Sequence, residues 1–125
     1  MTSLPYFPEP PQNYVAAGPP LLSCGLDLGQ RHDPTALAVL EAADLMATTP
    51  DPVTWERAQV RHFGLRHLER LPLGTPYTEV AARVRDVLLA LRQAGRVTLT
   101  VDATGVGAPV VDVLRREFAR SGFSG

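Results

Sequence analysis

Two apolar runs, each ending in an aspartate and a glycine-containing turn, constrain the fold of this chain more than any other feature. The first is Leu21–Pro34, LLSCGLDLGQRHDP, and the second is Val97–Pro109, VTLTVDATGVGAP. In the first, Leu22, Cys24, Leu26 and Leu28 share one face at a period of two, while Ser23, Gly25 and Asp27 share the other. In the second, Val97, Leu99 and Val101 share one face, while Thr98, Thr100 and Asp102 share the other. Both read as strands with one buried face, and each delivers a carboxylate at its C-terminal end.

The remaining segments arrange themselves around this pair. Gly29–Pro34 is a turn, with Asp33-Pro34 a favoured turn dipeptide. The turn is short, so the strand that follows, Thr35–Glu41, is expected to pair antiparallel with the first. Pro50 and Pro52 argue against regular structure in Ala43–Trp55. Arg57–Leu65 reads as a third strand whose arginines suit an exposed edge. After a Pro/Gly loop, Tyr77–Ala94 is the clearest helix. Thr78 is its expected N-cap, Val80, Val84, Val87, Leu88 and Leu91 form its apolar stripe, and Gly95 is its stop. A second helix is expected over Val106–Ser121, with Pro109 in its first turn and a stripe of Val110, Val113, Leu114 and Phe118. The order strand, strand, strand, helix, strand, helix predicts an α/β domain with a mixed sheet. The intervening helix lets the fourth strand run parallel to the first, which brings Asp27 and Asp102 to corresponding strand ends. Ligands of open α/β sheets sit outside such ends.

Residues 1–20 hold six of the twelve prolines. That density predicts a Pro-rich disordered tail, with the folded domain occupying 21–125. A chain of 125 residues is the size of one domain. Its net charge is −1, and all twelve basic residues are arginine. Binding to a nucleic acid would therefore need a local basic patch or bound cations rather than a basic surface overall. Arg31 and His32, in the turn after Asp27, are placed to touch a phosphate. Arg57, Arg61, Arg66 and Arg70 form a candidate rim. The single cysteine, Cys24, lies in an apolar strand and reads as a small buried hydrophobe. With no membrane-spanning apolar run and no secretory signal, a cytoplasmic protein is expected.

Two converging carboxylates without a lysine between them either share a proton or bind cations. An all-oxygen site favours Mg²⁺ or Mn²⁺, and such ions can clamp a phosphodiester for in-line attack by water. Sites of that kind use three or four acids. The further candidates are Asp33, Glu41 and Asp112, which also suit a turn former, a solvated strand end and a helix-dipole partner. Gly105-x-Gly107 is half of a dinucleotide fingerprint, but Val110 stands at the third glycine position. The chain has no GxxxxGK[ST] phosphate loop, and His62 and His67 have no cysteine companions. Trp55 and Tyr77 read as packing anchors.

GLDLGQRHDPTALAVLE followed by VTLTVDATGVGAPVVDVLRR resembles the nuclease domain of phage large terminase subunits, in the RNase H-like superfamily. The resemblance covers roughly residues 21–123. It implies an RNase H-like mixed sheet with the first strand between the second and the fourth. It also implies a divalent-metal-dependent endonuclease acting on DNA, with Asp27 and Asp102 as the metal-binding catalytic acids and Mg²⁺ or Mn²⁺ as cofactor. Asp33–Ala36 resembles the family's approach to its second strand, and Thr104–Gly107 its turn into the following helix. The family's third metal-binding acid follows a fifth strand, which this segment does not reach. The resemblance therefore implies a domain truncated at the C-terminus, completed by further residues or by a separate terminase ATPase or other packaging chain. Two alternatives stand beside it. One is a non-catalytic relic or DNA-packaging accessory of the same fold. The other is a nucleotide-binding fragment of actin or sugar-kinase type, whose phosphate loops GLDLGQ and DATGVG resemble.

Overall fold

The computed structural model describes residues 9–30 and 32–120. Seven elements follow one another in this span. They are β1 (Tyr14–Ala16), β2 (Leu21–Asp27), β3 (Ala36–Ala47), β4 (Gln59–Arg70), α1 (Tyr77–Arg92), β5 (Arg96–Asp102) and α2 (Ala108–Arg120). Together they make an α/β fold with a mixed sheet of five strands and two helices.

β3 is the spine of the sheet. One of its edges pairs antiparallel with β4 from Ala36 to Met46. The other is shared, antiparallel to β2 over Ala36–Ala42 and to β1 over Leu45–Ala47. β5 lies on the far side of β2 and runs parallel to it. Across its width the sheet therefore reads β4, β3, β2, β5, with β1 in line with β2 beside β3.

The sequence periods explain the layering. Leu22, Cys24 and Leu26 of β2 and Leu37 and Val39 of β3 point to one face. There Cys24, Leu26, Leu37 and Val39 meet Val80, Ala81, Val84 and Leu88 of α1 and Leu114 and Phe118 of α2 in one cluster. Burying a Val or Leu side chain stabilises by about 2 kcal/mol, so this single seam holds both helices to the sheet. Burial also pushes the Cys24 thiol up to about 11, as an apolar site disfavours the thiolate. The opposite face carries no described helix. Ser23, Gly25 and Asp27 of β2 lie exposed on it, as do Leu40 of β3 and Phe63 and Leu68 of β4.

Several segments differ from the sequence expectations. β3 runs on to Ala47, and β4 extends to Arg70, through residues whose own β propensity is modest. Pairing of β3 on both edges, by β1 and β4, overrides that weakness, and Pro50 and Pro52 fall in the connecting loop. Within the expected disordered tail, Tyr14–Ala16 forms β1, because the end of β3 projects past β2 and offers it a free edge. Residues 1–8 of that tail, and the expected helix end at Ser121, lie outside the described residues. α1 is preceded by Pro76 rather than capped by Thr78; the Pro76 carbonyl accepts from the Glu79 and Val80 N–H groups at 3.0 Å each. No helix among the described residues is long and apolar enough to cross a membrane.

Candidate functional site

β2 and β5 are parallel and in register, so Leu21 pairs with Arg96 and Asp27 with Asp102. Strands paired this way lie about 4.8 Å apart. Because Leu26 and Val101 face the helices, the next residue of each strand faces the other way. Asp27 and Asp102 are therefore side by side at the C-terminal ends of two neighbouring strands, inner β2 and outer β5, both exposed on the face without helices. The ladder continues one step beyond them, with the Leu28 N–H donating to the Asp102 carbonyl at 3.1 Å.

Each acid is followed by a loop that the structure fixes. After β2, the chain turns back on itself so tightly that a Cβ on Gly29 would overlap the backbone of Asp33, Pro34 and Thr35. The Gly29 N–H donates to Thr35 Oγ1 at 3.0 Å, and the Tyr77 hydroxyl donates to the Gly29 carbonyl at 2.8 Å. After β5, Asp102 Oδ1 accepts from the Thr104 N–H at 3.0 Å and from the Thr104 hydroxyl at 2.6 Å. These bonds stabilise the carboxylate and hold Asp102 below its ordinary pKa. Gly105 has a φ of 82°, in the left-handed region that favours glycine. The two loops are joined by Gln30, whose Nε2 donates to the Thr104 carbonyl at 3.2 Å. A side chain on Gly105 would collide with that same Gln30 amide.

Beside the acids lies an open depression. Its lining includes Gly25, Ala36, Ala38, Leu68 and Thr100 together with Asp27 and Asp102. The small side chains leave the two carboxylates accessible from the bare face. The Asp27 carboxylate makes no hydrogen bond or ion pair among the described residues, so its oxygens are available to an outside cation.

The other sequence candidates scatter. His32 lies exposed in the turn after β2, and Arg31 lies outside the described residues. Glu41 is in register with buried Leu22, which puts it on the helix side of the sheet, where it pairs with Arg66 at 3.1 Å. Asp33 lies in the turn near Thr35 and Tyr77, and Asp112 is exposed on α2. Among the described residues, no group of three or more His, Cys, Asp or Glu gathers as a metal cluster. The arginine rim also divides, as Arg61 pairs with Asp44 at 2.8 Å and Arg66 with Glu41. Trp55 is not a packing anchor but 76% exposed, in a loop whose ends are tied by β3 and β4. Tyr77 does anchor, though through its hydroxyl and onto a loop of the site.

Sequence reasoning did not single out Gln30 and Thr104, which position the loops. For Thr104 a signal was present. A hydroxyl residue two positions after an aspartate is the spacing at which the acid accepts from the backbone in a turn. Gln30 had no such signal, because its partner is distant in sequence. In comparison with known proteins, the chain matches no family model, no curated protein and no solved structure.

Proposed function

We propose that the chain carries the core of a divalent-metal-dependent endonuclease site of RNase H-like, terminase-nuclease type, acting on DNA phosphodiesters. The observation that carries this reading is the in-register pairing of Asp27 and Asp102 on adjacent parallel strands, both open to the bare face. The residues suit Mg²⁺ or Mn²⁺, which are commonly held by one or two carboxylates together with waters and substrate phosphate oxygens. When bound, such an ion neutralises phosphate charge and lowers the pKa of a coordinated water. The chain's own contribution is positional. Asp27 presents a carboxylate with no competing partner among the described residues, while Thr104 keeps Asp102 ionised and oriented. Gln30 and Tyr77 hold the two flanking loops in place.

A second reading has an observation of its own. Two acids, without a third among the described residues, favour a module of this fold that binds DNA without cutting it, a relic or packaging accessory. The actin or sugar-kinase alternative is weakened by the first loop. Its Gly29 N–H is spent on Thr35 within the chain instead of being open to cradle a phosphate.

Calorimetric titration of Mn²⁺ into the wild-type protein and Asp27→Asn tests the proposal. Because the Asp27 carboxylate makes no hydrogen bond or ion pair among the described residues, the substitution is expected to remove Mn²⁺ binding while leaving the melting temperature unchanged. No heat from the wild type at millimolar Mn²⁺ rejects a metal site on this chain. Nicking of supercoiled plasmid in Mn²⁺, abolished in Asp27→Asn, then separates a nuclease from a binding module.

A further inference from the structure

The carboxylate pair is one end of a longer row. Asp102 is in register with Asp27, Asp27 with Ala36, and Ala36 with Arg70, so one line crosses the sheet from β5 to β4. All four residues belong to the bare face. For Arg70 this follows from its neighbour, because Glu69 is buried toward α1 and is held by Arg83 at 2.7 Å.

Arg70 owes that direction to a bulge. The β3–β4 register shifts between Val39 and Leu40, where Leu40 pairs with Leu65 and Val39 with His67, so Arg66 is the extra residue of the bulge. Before the shift, Gly64 shares the helix side with Glu41; after it, His67 and Glu69 do, opposite Val39 and Leu37. Strict alternation from Gly64 would have sent Arg70 toward the helices. Bulges of this kind re-aim side chains beside functional sites. Along β4, Arg61 and Arg66 have acid partners, whereas the Arg70 guanidinium makes no hydrogen bond or ion pair among the described residues. Ala36 between Asp27 and Arg70 offers only a methyl group, and the space above it is part of the open depression.

We infer that Arg70 is a phosphate-binding residue, which grips a backbone phosphate next to the one held at Asp27 and Asp102. The inference rests on the proposed phosphodiester reading. Two strand spacings, roughly 10 Å, separate the backbones at Asp27 and Arg70, a gap that an extended arginine narrows to the separation of neighbouring phosphates. A guanidinium presents two parallel N–H groups to a phosphate and cannot lose its charge near neutral pH. The row then orients the strand across the sheet, from the carboxylates over Ala36 to the arginine.

The test uses the whole chain, Mn²⁺, and a fluorescein-labelled DNA oligonucleotide followed by anisotropy over a range of salt. Arg70→Ala is expected to leave the calorimetric Mn²⁺ response unchanged and to weaken Mn²⁺-dependent oligonucleotide binding about tenfold. It should also lower the slope of log affinity against log salt by about 1. Arg70→Lys keeps the charge without the fork and should recover part of the affinity. Unaltered oligonucleotide affinity and salt slope in Arg70→Ala, with Mn²⁺ binding intact, overturns the role of Arg70 alone. Absence of Mn²⁺ binding in the wild type instead removes the site itself, and Arg70's role with it.

Discussion

Trp55 has a φ of 61°, a left-handed backbone that costs a residue with a side chain about 1–2 kcal/mol. Its loop imposes the conformation. Asp51 Oδ1 accepts from the Val53 and Thr54 N–H groups at 2.8 and 3.1 Å, and the Trp55 N–H donates to the Asp51 carbonyl at 2.9 Å. The indole recovers little by burial, being 76% exposed. Trp55→Gly is therefore expected to raise stability by about 1 kcal/mol, after the larger unfolded-state entropy of glycine is counted. Urea denaturation followed by circular dichroism measures it, since the substitution removes the only tryptophan. A lower midpoint would show that the indole makes a stabilising contact. At this scale legibility depended on parity. Asp27 and Asp102 could be placed on one face because unbroken alternation carries through β2 and β5. The face of Arg70 could not, because the extra residue in β4 reverses the alternation and leaves no mark in the sequence.

Among the elements, the join between β4 and α1 depends on a buried charge. Glu69 is 4% exposed, accepts a two-pronged bond from Arg83 with contacts of 2.7 and 2.8 Å, and meets His67 Nε2 at 2.8 Å. Hydrogen bonding from Arg83 outweighs the burial that would raise its pKa, and with help from His67 brings Glu69 down to about 2. A carboxylate whose pKa is depressed by folding adds stability above its unfolded value, near 4.5. That stability fades as pH falls from there toward 2. Arg83→Met removes the fork and leaves the carboxylate buried. It is expected to cost on the order of 2 kcal/mol at pH 7, a difference from the wild type that closes as pH falls from about 4.5 toward 2. Urea midpoints of both proteins from pH 2 to 7 measure this, and a gap that stays constant across that range would refute the coupling. The pairing behind it was hidden in the sequence, because Glu69 and Arg83 belong to elements whose packing no local pattern specifies. α1 itself was legible, since a 3.6-residue stripe and a following glycine need no tertiary information. The full lengths of β3 and β4 were not, because strand pairing extends them.

At the scale of the molecule, the sheet is clad on one face and open along one side. β2 has strands on both edges and the core beneath it, whereas β5 has a described neighbour only at β2. In an outer strand, alternate backbone N–H groups point away from the sheet and meet water. Amide hydrogen exchange should therefore be slowest in β2, approaching the rate set by global unfolding, and should alternate between slow and fast along Arg96–Asp102. Uniform protection along β5 would mean that its outer edge is covered in solution, by another segment or by a second copy of the chain. The contrast bears on the proposed site, because Asp27 stands on the strand expected to open least and Asp102 on one that opens more readily. A cation shared by the two carboxylates would tie β5 to β2 at its C-terminal end. Mn²⁺ should then slow exchange at Asp102–Thr104 more than at the start of β5, and Asp27→Asn should abolish the difference. Equal slowing along the whole strand, or slowing that survives in Asp27→Asn, places the ion somewhere other than between these acids.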